Sequence, residues 1–218
     1  MKTKIYLVLA LAILSFWSCS NNKVIELPEL NSSNIHEILD VSPAYIFYNP
    51  SEKDSVELNR KNLISTTNWL VNVDKRLTMK QAIPKIQFIQ NKKRNAEMHK
   101  NENAKNYFTC HDLSINNLGF IEFTDVYYYF SAEQKPTIDQ NVIEVFIDSK
   151  AITITEKTLQ KEELIPGLKS ILTSNASSSF EMQWDSGLSF QEYISYKELL
   201  INSDLPKEVI SKKEVVFN

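Results

Sequence analysis

Apolar and polar positions alternate most regularly near the end of the chain, between Phe180 and Trp184. Apolar side chains occupy every second position there, which is the period of a half-buried β-strand. The sequence Asp185-Ser-Gly that follows supplies turn residues. Ser189 and Glu192 then have the spacing of a capping box, in which the serine hydroxyl accepts from the backbone N–H of the glutamate. This stretch therefore predicts a strand, a turn and the start of a helix.

The same arrangement occurs earlier, in the segment Leu70–Ile83. When Asp74 is aligned with Asp185, each is followed by a leucine three residues later, then Thr or Ser, an apolar residue and two polar residues. Thr78 and Gln81 have the spacing of the matching capping box. We interpret both stretches as copies of one structural module, so the chain is predicted to contain an internal duplication.

The C-terminal half, assigned to a second module at residues 139–218, has the clearest pattern of elements. Its predicted strands are Val142–Ile147, Ala151–Thr155, the stretch around Phe180 and Glu214–Phe217, and its predicted helices are Lys161–Thr173 and Phe190–Asn202. The order is β-β-α-β-α-β. This order predicts an α+β fold in which the helices pack on one face of a sheet.

The N-terminal half is less regular, and a first module is assigned to residues 41–130. Its predicted elements are strands at Ala44–Asn49, Trp69–Val73, Asn106–Cys110 and Leu118–Phe130, and a helix from Met79 towards Asn95. Pro84 is expected to kink that helix because proline lacks a backbone N–H. Residues 131–139 are predicted to link the modules, and a short helix is predicted at Asn34–Leu39.

The first eighteen residues are typical of a bacterial signal peptide. Lys2 and Lys4 precede an apolar run, Ile5–Ser18, that is shorter than the ~20 residues needed to cross a bilayer. Cys19 follows a small residue at the end of this run and resembles a lipoprotein cleavage site, although Phe16 replaces the usual leucine. The resemblance implies cleavage before Cys19 and a diacylglycerol on its thiol. An ordinary secretory signal is the alternative.

A lipidated Cys19 would anchor the protein stably, because two or three acyl chains hold a bilayer far more strongly than one. Residues 19–40 are predicted to be the lipidated N-terminus and a tether. Ser20 follows the cysteine and no acidic cluster comes next. By resemblance to lipoprotein sorting signals, this favours an outer-membrane lipoprotein that faces the periplasm.

Composition excludes several classes of function. The formal net charge is −3, and removal of Lys2 and Lys4 with the leader lowers it by two to −5, so no nucleic-acid interface is predicted. The chain has only 3 glycines, which argues against a Gly-rich phosphate loop, and no cofactor is predicted. An apolar fraction of 43% is enough for a hydrophobic core. With Cys19 lipidated, Cys110 is the sole thiol, and we interpret it as a small buried hydrophobe.

Two groups of residues invite a chemical interpretation, and we favour a structural one for both. Cys110, His111 and Asp112 are consecutive in a predicted strand, where neighbouring side chains point to opposite faces and do not converge. Asp74 and Asp185 occupy equivalent turns, where an aspartate that binds its own backbone explains both. Neither a catalytic site nor a metal site is therefore predicted.

The aromatic run Tyr127–Phe130 has two interpretations. It could form a sugar-binding platform, or one of its faces could belong to the core. Because side chains alternate along a strand, we favour the core.

Three stretches of the C-terminal half, Ile143–Ile154, Glu162–Leu172 and Phe180–Ile194, follow the order hairpin, helix, strand ending in aspartate, and helix. In this order they resemble the periplasmic domain of the ExbD/TolR biopolymer-transport family. The resemblance covers about residues 141–205, with a partial echo at 69–90. It implies a domain whose sheet edge binds an extended segment of a partner.

Members of that family also carry a transmembrane helix with an aspartate in the proton path. The apolar run Ile5–Ser18 contains no carboxylate and is expected to be removed. Proton-driven generation of torque is therefore not carried over to this chain. The resemblance implies at most an accessory protein that uses the periplasmic fold.

We therefore expect a non-enzymatic lipoprotein that acts as an interaction or scaffold module of the cell envelope. By resemblance, its partner would be a TonB, ExbB, ExbD or Tol component, or the cell wall. The alternative is a ligand-binding lipoprotein of a transport or glycan-uptake system that uses the aromatic segment 118–130.

The Cys19→Ala variant is expected to lose the lipid and to leave the membrane fraction, because no thiol remains at the predicted cleavage site to accept diacylglycerol. Intact-protein mass spectrometry of the membrane fraction measures the modification, and Cys110→Ala is the matched control that should stay lipidated. An unmodified Cys19 in the wild-type protein would contradict the prediction.

Overall fold

The computed structural model describes residues 23–96, 101–130 and 141–217. The predictions for the signal peptide at 1–18, for Cys19 and for the linker at 131–139 lie outside these residues. Within the described ranges, no helix has both the length and the apolar character that crossing a membrane requires.

The predicted α+β class is confirmed, because the described chain forms two six-stranded mixed sheets and three α-helices. The N-terminal sheet contains β1 (Glu29–Leu30), β2 (Val41–Tyr48), β3 (Val56–Asn59), β4 (Asn68–Val73), β5 (Asn106–Asp112) and β6 (Asn117–Glu122). The C-terminal sheet contains β7 (Tyr127–Phe130), β8 (Val142–Ile147), β9 (Ile152–Ile154), β10 (Lys157–Leu159), β11 (Ser179–Asp185) and β12 (Ile210–Phe217). The helices are α1 (Met79–Arg94), α2 (Leu164–Ser174) and α3 (Phe190–Ile201).

The two sheets share one strand order. The N-terminal sheet runs β5-β4-β2-β3 and the C-terminal sheet runs β12-β11-β8-β9. In both sheets an antiparallel hairpin is followed by a central parallel strand, a helix and a second parallel strand. The copies differ between the hairpin and the central strand, where only the C-terminal copy contains β10 and α2. The two sheets therefore repeat one arrangement, with one insertion in the C-terminal copy and with different strands beside β5 and β12.

The two helices that the copies share begin against each other. An isolated antiparallel bridge joins Thr78 to Ser189, the residues that precede α1 and α3. Four backbone bonds around it run from Met79 N to Leu188 O (2.8 Å), from Phe190 N to Leu77 O (2.7 Å), from Lys80 N to Ser186 O (2.9 Å) and from Gln191 N to Lys75 O (3.2 Å). The first N–H groups of a helix have no acceptor within that helix. Here each helix takes its missing acceptors from the turn of the other copy.

Capping boxes start both helices. The Thr78 N–H donates to Gln81 Oε1 at 2.9 Å, and the Ser189 N–H donates to Glu192 Oε2 at 2.8 Å. The return bond from the backbone of the third helical residue to the cap side chain is also present in each box. These caps fix the direction in which each helix leaves its turn.

The two aspartates hold equivalent turns but differ in burial. Asp185 Oδ1 accepts from the Gly187 N–H at 2.7 Å and the residue is partly exposed. The side chain of Asp74 is completely buried. Its carboxylate accepts from the Arg76 N–H (3.1 Å), Nε (2.8 Å) and Nη2 (2.7 Å), and from the Glu26 N–H (3.4 Å).

The prediction of a tether at 19–40 with a helix at Asn34–Leu39 is wrong for the described part. Strand β1 pairs in parallel with the end of β5, and no helix forms at Asn34–Leu39. Side chains of the folded core bind this segment instead: Glu198 accepts from the backbone at 31 and 32, and Asp112 accepts at 33. Ile35 O also accepts from the Phe120 N–H at 3.0 Å, so the backbone is held extended.

The single strand predicted at Leu118–Phe130 is also wrong. Strand β6 ends at Glu122, the chain turns, and β7 begins at Tyr127 in the other sheet, parallel to β12. The cause is a set of contacts from α1, because Gln90 and Arg94 bind carbonyls of the turn. The C-terminal sheet therefore begins inside the range 41–130 that was assigned to the first module.

The other long elements lie within a few residues of their predicted bounds. Helix α1 continues through Pro84, which is exposed on its surface. The two short edge strands, β3 and β10, are not among the predicted elements.

Asp74→Ala is expected to lower the free energy of unfolding by about 2 kcal/mol, and Asp185→Ala by about 1 kcal/mol, because Asp74 loses more charge-assisted hydrogen bonds. Urea unfolding at neutral pH measures both changes. Equal losses, or a larger loss for Asp185→Ala, would contradict this ranking.

The loss caused by Asp74→Ala is also expected to depend on pH. Burial opposes ionisation of Asp74, but the hydrogen bonds from Arg76 outweigh it and hold the pKa of Asp74 below its ordinary value. A lowered carboxyl pKa stabilises the fold above the unfolded pKa of about 3.9, and this stabilisation is lost as the pH falls through the folded pKa. The difference between wild type and variant should shrink in acid, as urea unfolding in an acidic pH series would show.

Candidate functional site

Aromatic side chains join the two sheets into one core. Phe108 of β5 stacks on Phe123 with ring centres 3.8 Å apart, and its edge meets Phe190 of α3 at 5.2 Å. Tyr193 of α3 lies 5.0 Å from Trp184 of β11, edge to face. All five residues belong to one continuous apolar cluster, so the copies share a core.

A buried polar network lies in this shared core. Glu214 of β12 is 1% exposed, and its Oε1 accepts from Lys197 Nζ at 2.6 Å. Its Oε2 accepts from Trp184 Nε1 at 2.9 Å and from the Tyr193 hydroxyl at 3.0 Å. The Tyr128 hydroxyl lies 2.9 Å from that of Tyr193 and extends the network to β7. Every polar atom of Glu214 is thus paired.

The network occupies positions that are apolar in the other copy. Asp74 and Asp185 are 111 positions apart, and at the same offset Val71 corresponds to Met182. Val71 pairs with Phe108 across the N-terminal sheet, and Met182 pairs with Glu214 across the C-terminal sheet. At this offset Val73, Ala82 and Ile86 stand where the C-terminal copy has Trp184, Tyr193 and Lys197. Phe108 corresponds to Glu214 through the strand pairing, although these two residues are 106 positions apart. The sequence analysis did not predict the network. The signal that could have revealed it is the contrast between apolar residues in one copy and hydrogen-bonding residues at the corresponding positions of the other.

Burial sets the electrostatics of the network. It raises the pKa of both Tyr128 and Tyr193 well above the ordinary value, and the charge of Glu214 adds to this effect. Both phenols are therefore neutral hydrogen-bond donors. Taking both charges of the Lys197–Glu214 pair out of water costs desolvation energy, so removal of one partner leaves an uncompensated buried charge.

A cleft of 460 Å³ opens beside the network. Its walls are formed within four stretches: 30–35 of the N-terminal segment, 120–126 between the sheets, 197–207 at and after the end of α3, and 210–212 at the start of β12. Lys197 lies on the cleft wall and also donates to Glu214, so the network reaches the cleft.

Helix α3 holds the N-terminal segment against the cleft. Glu198 Oε1 accepts from the backbone N–H groups of Asn31 at 2.7 Å and Ser32 at 2.9 Å. The amide of Gln191 accepts from the Glu29 N–H at 2.8 Å and donates to its carbonyl at 2.9 Å, as a neighbouring strand would. The segment is therefore bound to both copies, through β5 and through α3.

The structure separates the consecutive residues Cys110, His111 and Asp112. Cys110 lies in the core, and burial raises the pKa of its thiol far above the ordinary value, so a thiolate nucleophile is disfavoured. His111 points the other way, with Nε2 3.0 Å from Asn116 Oδ1. Asp112 Oδ1 accepts from the Ser114 N–H at 2.8 Å. No three His, Cys, Asp or Glu side chains of the described ranges are placed to share a metal ion.

Lys93 is a second buried cation that sequence reasoning missed. Its Nζ donates to the carbonyls of Thr67 (3.2 Å) and Lys105 (2.9 Å) and to Asn106 Oδ1 (3.1 Å), and it lies 4.8 Å from the centre of the Trp69 ring. Burial lowers the pKa of Lys93 to about 8. Because three acceptors take the three hydrogens of the ammonium group, its role is to hold the starts of β4 and β5 together.

Comparisons with protein-family models, with curated proteins and with solved structures find no match to this chain.

Glu214→Gln is expected to lower the free energy of unfolding by about 3 kcal/mol or more, because it leaves the charge of Lys197 buried without a counter-charge. Asp125→Asn is the matched control, since it breaks an ion pair with Lys212 whose side chains are 65% and 67% exposed. The control should change stability by less than about 1 kcal/mol. Urea unfolding measures both.

The double variant Lys197→Met/Glu214→Gln should recover part of this loss, since it removes the unpaired charge. If the double variant is less stable than Glu214→Gln alone, the interpretation of the network as a costly buried ion pair is wrong.

Proposed function

We propose that this chain is a non-enzymatic, lipid-anchored interaction module of the cell envelope that faces the periplasm from the outer membrane. The observation that carries the proposal is the cleft where the two copies and the N-terminal segment meet. A site with walls from three parts of the chain depends on their relative position. A shared core gives such a site a fixed shape before anything binds.

The paired state of the buried polar groups supports a non-enzymatic role. Glu214 is occupied by three donors, Lys93 by three acceptors, and Cys110 is a buried thiol with a raised pKa. Catalytic groups are usually poised for a substrate rather than satisfied by their own fold.

The partner that the family resemblance suggests is a component of a TonB- or Tol-type complex, namely TonB, ExbB, ExbD or a Tol protein. The element order β8-β9-α2-β11-α3-β12 agrees with the order on which that resemblance rests, with β10 added. In this proposal an extended segment of the partner enters the cleft beside the start of β12.

A second candidate is a ligand-binding lipoprotein of a transport or glycan-uptake system. One observation favours it: residues 120–126 of the aromatic segment 118–130 line the cleft, and they include Phe120 and Phe123. A small molecule with an apolar surface would then be the occupant rather than a polypeptide.

Ile201→Arg is expected to abolish partner capture, because Ile201 lines the cleft and is 43% exposed, so a charge there blocks the site without disturbing the core. Ile64→Arg is the matched control, since Ile64 is 55% exposed and lies outside the cleft lining. Affinity purification of the tagged, lipidated protein from solubilised envelopes, followed by mass spectrometry, compares the two variants.

Recovery of a TonB, ExbB, ExbD or Tol component with wild type and Ile64→Arg, and its absence with Ile201→Arg, is the expected result. Equal recovery with both variants would remove the cleft from the proposal. If wild type captures no such component but its melting temperature rises with a small molecule and Ile201→Arg cancels the rise, the second candidate replaces the first.

A further inference from the structure

A second pocket, of 280 Å³, lies outside the cleft between the C-terminal half of α1 and strand β7. Gln87, Gln90, Asn91 and Arg94 of α1 line it together with Tyr127–Tyr129 of β7. Residues three or four apart on a helix share a face, so these side chains form one polar stripe that meets the edge strand of the C-terminal sheet.

Gln90 gives this pocket a buried acceptor without a partner. The residue is 1% exposed, and its Nε2 donates to the carbonyls of Phe123 and Val126, both at 3.1 Å. These two bonds fix which way the amide faces. Its Oε1 is buried and accepts no hydrogen bond from the described residues. A buried acceptor in this state is costly, so a ligand group that donates a hydrogen bond here would be favoured.

The contacts of Arg94 make an anion a poor candidate for this pocket. Its Nη2 donates to the carbonyls of Thr124 at 2.9 Å and Val126 at 2.8 Å, and its guanidinium lies 4.1 Å from the centre of the Tyr127 ring. These contacts already occupy the Nη2 donors of the guanidinium group and place its face against an aromatic ring. A sulfate or an ionised carboxylate also has no hydrogen to give to Gln90 Oε1.

Hydroxyl groups suit the same surroundings, because each one can both donate and accept. Asn91 is exposed and lines the same pocket as Gln90, and its amide offers a donor and an acceptor. Tyr127 and Tyr129 are two residues apart on β7 and share a face, which supplies aromatic surface for the apolar side of a ring. The volume is just below the roughly 300–1,000 Å³ of sites for drug-sized ligands, which matches a single small ring.

We propose that this pocket binds one neutral saccharide ring. A ring hydroxyl donates to Gln90 Oε1, neighbouring hydroxyls bond to the amide of Asn91, and the apolar side of the ring faces the tyrosines of β7. This inference deepens the second candidate function at a site separate from the cleft, and it depends on neither the lipid anchor nor the cleft.

The test is calorimetric titration of the full-length lipidated protein in a zwitterionic detergent, which avoids detergents with sugar head groups. The probes are methyl glucoside, methyl galactoside and N-acetylglucosamine, with glucuronate as the charged comparison. At least one neutral sugar should bind. Asn91→Ala should weaken that binding about three- to tenfold, the effect of losing one or two hydrogen bonds. Asn95→Ala is the matched control, an exposed asparagine one turn further on that should leave binding unchanged.

Gln90→Met should also weaken binding, but it removes two bonds to the turn carbonyls as well, so its unfolding midpoint is measured alongside. Asn91→Ala is therefore the decisive variant, because Asn91 is exposed.

The proposal is overturned if none of the neutral sugars binds, in which case Gln90 Oε1 holds water only. It is also overturned if Asn91→Ala and Asn95→Ala bind equally well, or if glucuronate binds more tightly than every neutral sugar. Ile201→Arg separates this inference from the cleft proposal, because blocking the cleft should leave sugar binding at the pocket unchanged.

Discussion

The backbone N–H groups at the start of a helix need acceptors that the helix itself does not provide, and in this chain each copy supplies them to the other. Met79 and Lys80 donate to the turn before α3, and Phe190 and Gln191 donate to the turn before α1. A buried helix start without acceptors is unfavourable, so neither copy is complete alone. This exchange fixes the position of the two sheets, and the shared aromatic core, the cleft and the N-terminal segment all depend on that position.

The two copies share one arrangement of backbone elements but differ in the side chains that they carry. The same four positions hold Val73, Ala82, Ile86 and Phe108 in one copy and the Glu214 network in the other. An apolar core is tolerant of small shifts, whereas a carboxylate with three directed donors is satisfied in one geometry only. The copy that contains the Glu214 network contributes Lys197 to the cleft wall, and a binding site benefits from a fixed shape.

Local rules predicted the fold class, most of the strands, both turns and both capping boxes, because those features depend on residues close together in sequence. Long-range contacts decided the rest. The split between β6 and β7 follows from Gln90 and Arg94, thirty or more positions earlier, and the extended form of 31–35 follows from Glu198 and Phe120. The Lys197–Glu214 pair and both pockets likewise join segments that no local pattern connects. Of these missed features, only the Glu214 network could have been found by aligning the two copies.

The bonds between Glu29 and Gln191 join residues 162 positions apart, nearly the full described length of the chain. Contacts of this span close late in folding, because the entropy of the intervening loop must be lost first. The segment around Glu29, which precedes both copies in the sequence, is therefore among the last to take its place. Until α3 has formed, the cleft lacks two of its walls, so completion of the cleft reports that the whole chain has folded.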